Sequence, residues 1–221
     1  MKNSLTFLLL FISSLFGFLL FGTNEPTNTN VSTENILAVS LQKNFCKLHK
    51  YKKECRNYRR DYYEKEFNFT LHGLWPQPRS KQYCSNSYKR LPRDLWEELK
   101  EVMPGAISGL AKHEWRKHGS CYGTSQERYF QDAIKLTNEL NKTPLREFFE
   151  KNSGEVVTKE AINQAIKKSF GNVARKVQMI CQNGLITELR FSLKGDVQKE
   201  NLKELLKNAK PLRGGCQKGR I

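Results

Sequence analysis

Six cysteines constrain this chain more than any other feature, because each pair that oxidises fixes two distant segments beside each other. All six follow an apolar N-terminal stretch and none forms a Cys-x-x-Cys pair: Cys46, Cys55, Cys84, Cys121, Cys181 and Cys216. An even number of cysteines in an exported chain predicts three disulfides rather than a zinc site. Six cysteines allow fifteen pairings, and their spacing alone does not choose among them.

The N-terminal stretch differs in composition from the rest of the chain. Residues 1–22 contain one charge, Lys2, and residues 5–21 are almost entirely apolar. A helix of that length spans about 25 Å, close to a bilayer core. We interpret residues 1–22 as a signal peptide or a membrane anchor. Residues 23–40 are predicted to be a flexible tether and residues 41–221 one folded domain, exported to the periplasm or the extracellular space.

The body of the chain is strongly basic. Of 38 basic residues only Lys2 lies in the leader, which leaves 37 against 22 acidic residues and a net charge of +15. Such an excess attracts nucleic acid, anionic lipid or acidic cell-wall polymers. Lys47–Arg60 is a dense basic run, interpreted either as a solvated loop closed by Cys46 and Cys55 or as a surface that grips a phosphate backbone.

Hydrophobic periodicity predicts an α+β fold in a single domain. Phe67–Trp75 alternates as a strand does, and the segments around Asn183-Gly184, Val173–Cys181 and Leu185–Leu193, are typical of a β-hairpin. Thr124 with Glu127 suggests a capping box, and Thr143-Pro144 suggests a cap before a first-turn proline. Helices are predicted over Arg93–Val102, Gly109–His118, Ser125–Asn141, Pro144–Lys151 and Lys159–Phe170.

Three of the four histidines lie in two short segments, Phe69-Thr70-Leu71-His72-Gly73-Leu74-Trp75-Pro76 and His113-Glu114-Trp115-Arg116-Lys117-His118-Gly119-Ser120-Cys121. Placed on a helix at about 100° per residue, four ionisable groups of the second segment share an arc of roughly 140°. They are His113, Glu114, Lys117 and His118. Trp115 points away from them towards the core, and Gly119 is expected to end the helix.

Two other interpretations of these histidines compete. The zinc-protease signature needs histidines at i and i+4, whereas His113 and His118 are five residues apart and diverge. A zinc site that includes His72 stays open, as does a purely structural role. Paired histidines beside a cation also suit phosphodiester chemistry, since one imidazole accepts a proton while the other donates one. RNA supplies its own nucleophile, the 2′-hydroxyl, so this chemistry needs no metal.

The two segments resemble the two active-site signatures of the ribonuclease T2 family of acid, transferase-type endoribonucleases. The resemblance implies a central antiparallel sheet flanked by helices, with no cofactor or metal, in a ribonuclease domain of residues 41–221. It implies that His72 is the general acid at the leaving 5′-oxygen and His118 the base at the 2′-hydroxyl. It further implies that His113 binds phosphate and that Glu114 and Lys117 stabilise the transition state. The implied first product is a 2′,3′-cyclic phosphate, which is then hydrolysed to a 3′-phosphate.

The same resemblance suggests a base-binding region and a disulfide pattern. Trp75 resembles the family's base-stacking aromatic, Gln77 lies where relatives hydrogen-bond a base, and Tyr83 is a candidate second ring. Stacking tolerates every base, so low base specificity is expected. The family's disulfide pattern implies the pairs Cys46–Cys55, Cys84–Cys121 and Cys181–Cys216.

The main hypothesis is therefore an exported endoribonuclease that acts on single-stranded RNA as a monomer, with no obligatory protein partner and membrane contact only through residues 1–22. One alternative is a basic protein that binds nucleic acid in the same cleft without cutting it. Another is a cationic protein that adheres to envelope polymers through charge alone.

Overall fold

The computed structural model describes residues 31–56 and 67–221. The predicted leader, residues 23–30 of the predicted tether and residues 57–60 of the basic run lie outside the described residues. Among the described residues, no helix has both the length and the hydropathy needed to cross a bilayer.

The elements mix strands and helices without regular alternation. The strands are β1 (Glu34–Ser40), β2 (Thr70–Pro76), β3 (Val156–Thr158), β4 (Val177–Gln182), β5 (Leu185–Lys194) and β6 (Lys218–Arg220). The α-helices that lie wholly within the described residues are α1 (Gln42–Leu48), α2 (Arg93–Val102), α3 (Leu110–Lys117), α4 (Gln126–Leu140), α5 (Pro144–Lys151), α6 (Lys159–Phe170) and α7 (Leu202–Asn208). Short 3-10 turns cover Pro104–Ser108, Gly119–Cys121 and Ala174–Lys176.

One sheet organises the domain, with strand order β2-β1-β5-β6-β3 and β4 paired with β5. The pairs are antiparallel except for a short parallel contact between β5 and β6, where Leu185 lies opposite Arg220. The predicted α+β class, a single domain with a largely antiparallel sheet flanked by helices, is confirmed.

The predicted boundary of the tether is wrong, because residues 34–40 are not a flexible segment. They form β1, which pairs with β2 on one side and with β5 on the other. Ile36, Leu37, Ala38 and Val39 are all buried. A short, continuous apolar run of this kind is typical of a strand covered on both faces, and the domain therefore begins before residue 34.

The two faces of β1 and β5 have different surroundings. Leu37 lies opposite Phe191, and Val39 lies opposite Leu189. These side chains belong to the hydrophobic core, over which α4 and α7 contact the strands. The alternate residues of β1, including Ala38, point to the opposite face of the sheet, because side chains alternate along a strand.

Most of the predicted elements are confirmed. Helices α2, α5 and α6 have the predicted bounds, and α3 and α4 are one residue shorter at each end than predicted. In the hairpin turn, Asn183 and Gly184 adopt φ angles of 50° and 76°, as a type I′ turn requires. The predicted first hairpin strand starts later, at Val177, because a 3-10 turn precedes it.

The predicted helix caps are only partly right. Ser125, not Thr124, caps α4, and its side chain accepts a hydrogen bond from the Arg128 amide. The predicted capping box is therefore wrong by one residue. Pro144 does occupy the first turn of α5 after Thr143, but the Thr143 hydroxyl donates back to the Leu140 carbonyl instead of capping the helix.

The three disulfides have the pairing that the resemblance implied: Cys46–Cys55, Cys84–Cys121 and Cys181–Cys216. The second lies beside the end of α3. Its two Cα atoms are 5.1 Å apart, and the neighbouring Tyr83 amide donates to the Lys117 carbonyl at 3.0 Å. Disulfides of this kind typically contribute about 2–4 kcal/mol of stability.

The position of β1 gives a direct test of the domain boundary. A chain that begins at residue 41 loses the strand that joins β2 to β5, and we expect it not to fold cooperatively. A chain that begins at residue 31 keeps that strand and is the matched control. Circular dichroism and thermal unfolding of both chains make the comparison, and a cooperative transition in the shorter chain would contradict the central role of β1.

Candidate active site

His72 lies at a β-bulge in β2. Ala38 of β1 pairs with Gly73 and Val39 pairs with Leu71, so His72 has no partner in the register. Strict alternation would place His72 on the same face as Leu74, which is buried in the core. The bulge instead brings His72 out of the core, which is a common use of bulges near functional sites.

Glycine is required at position 73 because the side chains of Glu114 and Trp75 lie close to the backbone there. A Cβ atom added there would lie 2.0 Å from the Glu114 Oε2 atom and 2.6 Å from the Trp75 Nε1 atom. The absence of a side chain lets Trp75 donate a hydrogen bond to Glu114 at 2.7 Å directly over β2.

Glu188 binds His72 from β5. The His72 Nδ1 atom lies 2.5 Å from the Glu188 Oε2 atom, and the other carboxylate oxygen of Glu188 accepts from Arg190 Nε at 2.5 Å. The His72 Nε2 atom faces the Glu114 Oε1 atom at 3.7 Å. His72 thus lies between two carboxylates, one in hydrogen-bond contact and one farther away.

The indole of Trp75 contacts both histidines assigned to catalysis. Its ring centroid is 5.4 Å from that of His72 and 5.3 Å from that of His118. The sum of these distances, 10.7 Å, is the upper limit for the separation of the two imidazoles. The Arg190 guanidinium lies over the same indole, 5.1 Å from the ring.

Helix α3 supplies the remaining ionisable groups. Glu114 is 1% exposed and faces Trp75, whereas His113 is exposed and lines the cavity beside His72. Lys117 is partly buried, near enough for its charge to act on Glu114 and both neighbouring histidines. Trp115 points to the core as predicted and donates to the Ser87 carbonyl.

The helix ends one residue earlier than predicted. Lys117 is its last residue, and His118 is the C-cap with φ −121° and ψ −55°. Gly119 is therefore not the terminator that we expected. Its role is close packing, because a Cβ atom there would lie 2.6 Å from the Trp115 ring and 2.8 Å from the Tyr129 ring.

The surroundings shift the pKa values of His72 and His118 in opposite directions. Burial disfavours the charged form of His72, but the hydrogen bond to Glu188 and the charges of Glu114 and Glu188 outweigh it and raise the pKa of His72 above its usual 6.5. Burial, reinforced by the charges of Lys117, His113 and His72, lowers the pKa of His118 to about 3. At neutral pH His118 is therefore the neutral ring, while His72 holds its proton more firmly than a free imidazole does.

Three further groups of the site are shifted. Burial raises the pKa of Glu114 to about 6, against the opposing effects of His72, Trp75 and Lys117. Burial also opposes ionisation of Glu188, but its hydrogen bond to His72 and the charges of His72 and Arg190 lower its pKa overall. Burial and the charges of Lys117 and His72 lower the pKa of His113.

A cavity of about 530 Å³ opens beside His72. His72, His113, Glu188 and Arg190 line its inner wall. The disulfide-closed segment after α1 supplies another part of the wall, including His49 and Lys52 from the basic run. The His49 ring also contacts Phe45, at a centroid distance of 4.5 Å.

Gln77 and Tyr83, two of the predicted base-binding residues, lie in the segment after β2. The Gln77 side-chain amide donates to the carbonyls of Trp75 and Pro76, and Gln77 lines a second groove of about 460 Å³ with Asn35 and Lys210. Tyr83 is 55% exposed. The base-binding roles of Trp75, Gln77 and Tyr83 stay predictions.

Glu188 and Arg190 are residues of the site that the sequence analysis missed. They belong to no local motif, since β5 is far from both histidine segments in the chain. Their positions could have been found from the predicted strand Leu185–Leu193, in which Glu188 and Arg190 alternate with apolar residues. This alternation indicates a strand with one polar face. Among residues 31–56 and 67–221, no group of three or more histidine, cysteine, aspartate or glutamate residues is arranged to hold a metal ion.

Comparison with known proteins identifies relatives of this chain. The profile of the Ribonuclease T2 family matches residues 35–205. Ribonuclease I of Escherichia coli K12 is 27% identical over 223 aligned positions, which cover 83% of each chain. A ribonuclease of Aeromonas hydrophila is 38% identical over 77 residues, or 35% of each chain.

A solved structure shares the fold. The SF11-RNase of Nicotiana alata, associated with gametophytic self-incompatibility, superimposes with a TM-score of 0.55 at 20% sequence identity. The match covers 74% of this chain and 87% of that one.

The opposite shifts of the two histidines are measurable by NMR. We expect His118 to keep the signature of a neutral imidazole down to about pH 4, because its pKa is about 3, and we expect His72 to titrate above 6.5. The urea-denatured chain is the control, since all histidines should then titrate near 6.5. Native rings that titrate together would contradict the described electrostatics.

A substitution at Gly73 tests whether Trp75 and Glu114 need the space above β2. In Gly73→Ala the new methyl group overlaps Glu114 and Trp75, so we expect the free energy of unfolding to fall by about 1–3 kcal/mol. Activity should fall as well, because the displaced side chains include Trp75, which contacts both His72 and His118. Denaturant unfolding and an RNA cleavage assay measure both effects, and wild-type values in both would show that the close approach is not required.

Proposed function

Since this chain belongs to the ribonuclease T2 family, a membership that makes it a T2-type ribonuclease, we propose that it cuts single-stranded RNA by acid–base catalysis between His118 and His72. The observation that carries this proposal is that both rings contact the Trp75 indole, at centroid distances of 5.4 and 5.3 Å, and that their pKa values are shifted in opposite directions. A pair of groups whose surroundings separate their pKa values is suited to divide the roles of base and acid.

In the proposed first step, the neutral His118 ring takes the proton of the 2′-hydroxyl. The 2′-oxygen forms a bond to phosphorus while the bond from phosphorus to the 5′-oxygen breaks. Protonated His72 gives its Nε2 proton to that 5′-oxygen, so the products are a 2′,3′-cyclic phosphate and a free 5′-hydroxyl. In the slower second step the roles reverse, water opens the ring, and a 3′-phosphate remains.

Lys117, His113 and Glu114 act on the phosphate. The Lys117 ammonium and the exposed His113 ring offer donors to the non-bridging oxygens, where negative charge grows in the transition state. Glu114 is proposed to assist Lys117 in stabilising the transition state, and it keeps Trp75 in place by accepting a hydrogen bond from its indole.

Substrate binding strengthens the base. In the free protein, burial reinforced by the charges of Lys117, His113 and His72 lowers the pKa of His118 to about 3. A bound phosphodiester adds a negative charge beside these groups and offsets their repulsion. The pKa of His118 should therefore rise towards the working pH when RNA binds, which is where a general base is most effective.

The cavity beside His72 is the proposed position of the nucleotide that leaves. His72 protonates the 5′-oxygen of that nucleotide, so the nucleotide must lie on the His72 side of the phosphorus. Lys52 and the other basic side chains of the cavity wall suit its backbone. On the other side of the phosphorus, Trp75, Gln77 and the exposed ring of Tyr83 are proposed to hold the base with little specificity.

Export is part of the proposal. Three disulfides join described segments of the chain, and such crosslinks persist in oxidising compartments. The tomato relative named extracellular ribonuclease LE is 30% identical over 120 residues. A periplasmic or extracellular, monomeric and metal-independent enzyme is proposed on these grounds and on the acid–base chemistry described above.

Alanine substitution of the two histidines tests the division of roles. We expect His72→Ala and His118→Ala each to lower kcat about 10²–10⁴-fold, the usual contribution of a general acid or base. The assay uses total RNA in EDTA, with mass spectrometry of the product ends. Thermal unfolding of each variant confirms that the fold is intact.

An oligonucleotide with one 2′-deoxynucleotide is the matched substrate control, because it lacks the nucleophile and should resist cleavage at that position. Cyclic-phosphate ends distinguish the enzyme from a protein that only binds RNA. Full activity of either histidine variant would overturn the assignment, and loss of wild-type activity in EDTA would indicate a metal.

A further inference from the structure

The contacts at Nδ1 of His72 extend the proposed mechanism to two residues of β5. We propose that Glu188 is a positioning residue that fixes the orientation of the His72 ring through Nδ1, while Arg190 fixes Glu188. This inference rests on the proposed function, in which His72 is the general acid.

The two ring nitrogens of His72 have different surroundings. Nδ1 is 2.5 Å from Glu188 Oε2, a charge-assisted hydrogen bond, whereas Nε2 is 3.7 Å from Glu114 Oε1, which is beyond hydrogen-bond distance. Glu114 already accepts a hydrogen bond from Trp75 on its other oxygen. Nδ1 is therefore committed to Glu188, and Nε2 is the nitrogen left to face the substrate.

Glu188 is itself held on both sides. It is 7% exposed, and its second oxygen accepts from Arg190 Nε at 2.5 Å. Arg190 in turn lies over the indole of Trp75. The five side chains form a closed ring of contacts: Glu188, His72, Glu114, Trp75 and Arg190. A carboxylate fixed in this way leaves its imidazole partner little freedom to rotate.

The strand register makes the contact between Glu188 and His72 possible. Their strands, β5 and β2, are separated by β1, in which Ser40 lies opposite Glu188 and Ala38 lies opposite Arg190. Both residues of β1 are small, and the bulge leaves His72 between the two positions that pair with Ala38 and Val39. The short side chains of β1 leave room for the longer side chains of Glu188 and His72 to meet above that strand.

The charges that face His72 come from two elements. Glu114 of α3 and Glu188 of β5 favour the imidazolium, and Arg190 opposes it. His113 and His118 are the other titratable rings that interact with His72, and each has its own pKa lowered by it. Removing the charge of Glu188 therefore leaves Glu114 alone to favour the imidazolium, against burial and the charge of Arg190.

The proton balance of the acid step follows from this arrangement. Protonated His72 carries a hydrogen on each nitrogen, and Nε2–H goes to the departing 5′-oxygen as its bond to phosphorus breaks. The neutral ring that remains keeps Nδ1–H bonded to Glu188. The tautomer that results has its lone pair on Nε2, which is the form required to accept a proton from water in the second step.

The test is Glu188→Gln, assayed on two substrates. One is a dinucleotide whose leaving 5′-oxygen needs a proton, and the other is uridine 3′-(4-nitrophenyl phosphate), whose nitrophenolate leaves without one. We expect kcat on the dinucleotide to fall about tenfold or more, with KM little changed and kcat on the nitrophenyl ester nearly unchanged. The basic limb of the pH profile for the dinucleotide should move about one pH unit lower or more.

The matched control is Glu150→Gln, which disrupts a glutamate–arginine pair on α5, outside the site. It should leave the ratio of the two kcat values unchanged. This ratio does not depend on the folded fraction of a preparation, so partial unfolding of Glu188→Gln cannot imitate the result. Equal losses on both substrates, or an unmoved basic limb, would overturn the role of Glu188.

His72→Ala on the same two substrates separates the two proposals. If it loses the dinucleotide activity selectively and Glu188→Gln does not, the proposed function stands and the Glu188 inference fails. If His72→Ala loses both activities equally, His72 is not the acid, and the inference about Glu188 fails with it.

Discussion

The interaction on which the site depends is the burial of two carboxylates, Glu114 and Glu188, on either side of one imidazole. A buried carboxylate is costly unless it is paired and hydrogen-bonded. Glu188 meets this cost through His72 and Arg190, and Glu114 meets it through Trp75 and by an upward shift of its own pKa. The same two carboxylates raise the pKa of His72 against the effect of its burial. The contacts that stabilise the buried charges therefore also set the electrostatics of the site.

The sheet supplies the geometry for this arrangement. One face of β1 and β5 packs on the core, and the other face carries the long polar side chains of β5 beyond the small ones of β1. A regular strand at β2 would have turned His72 into the core, so a single extra residue in the register decides whether His72 lies in the site. Gly73, next to the bulge, leaves the space in which Trp75 and Glu114 meet.

Much of this was predictable from the sequence where the signal is local. Helix α6 has the predicted bounds because its periodicity and its threonine cap lie within one segment, and the hairpin turn follows from Asn183-Gly184. The structure brings His72, His113, Glu114, Lys117 and His118 to one site. What sequence reasoning missed depends on contacts between distant segments: β1 is stabilised by its two neighbouring strands, the bulge is a property of pairing, and Glu188 reaches His72 over an intervening strand.

The crosslink between Cys84 and Cys121 also bears on how firmly His118 is held in place. It ties the loop that carries Tyr83 to the turn that follows His118, beside a 3.0 Å backbone hydrogen bond from Tyr83 to Lys117. The turn that carries His118 is therefore anchored to this loop twice, once through the disulfide and once through the backbone. Its position relative to the loop is fixed by a covalent bond and not by packing alone.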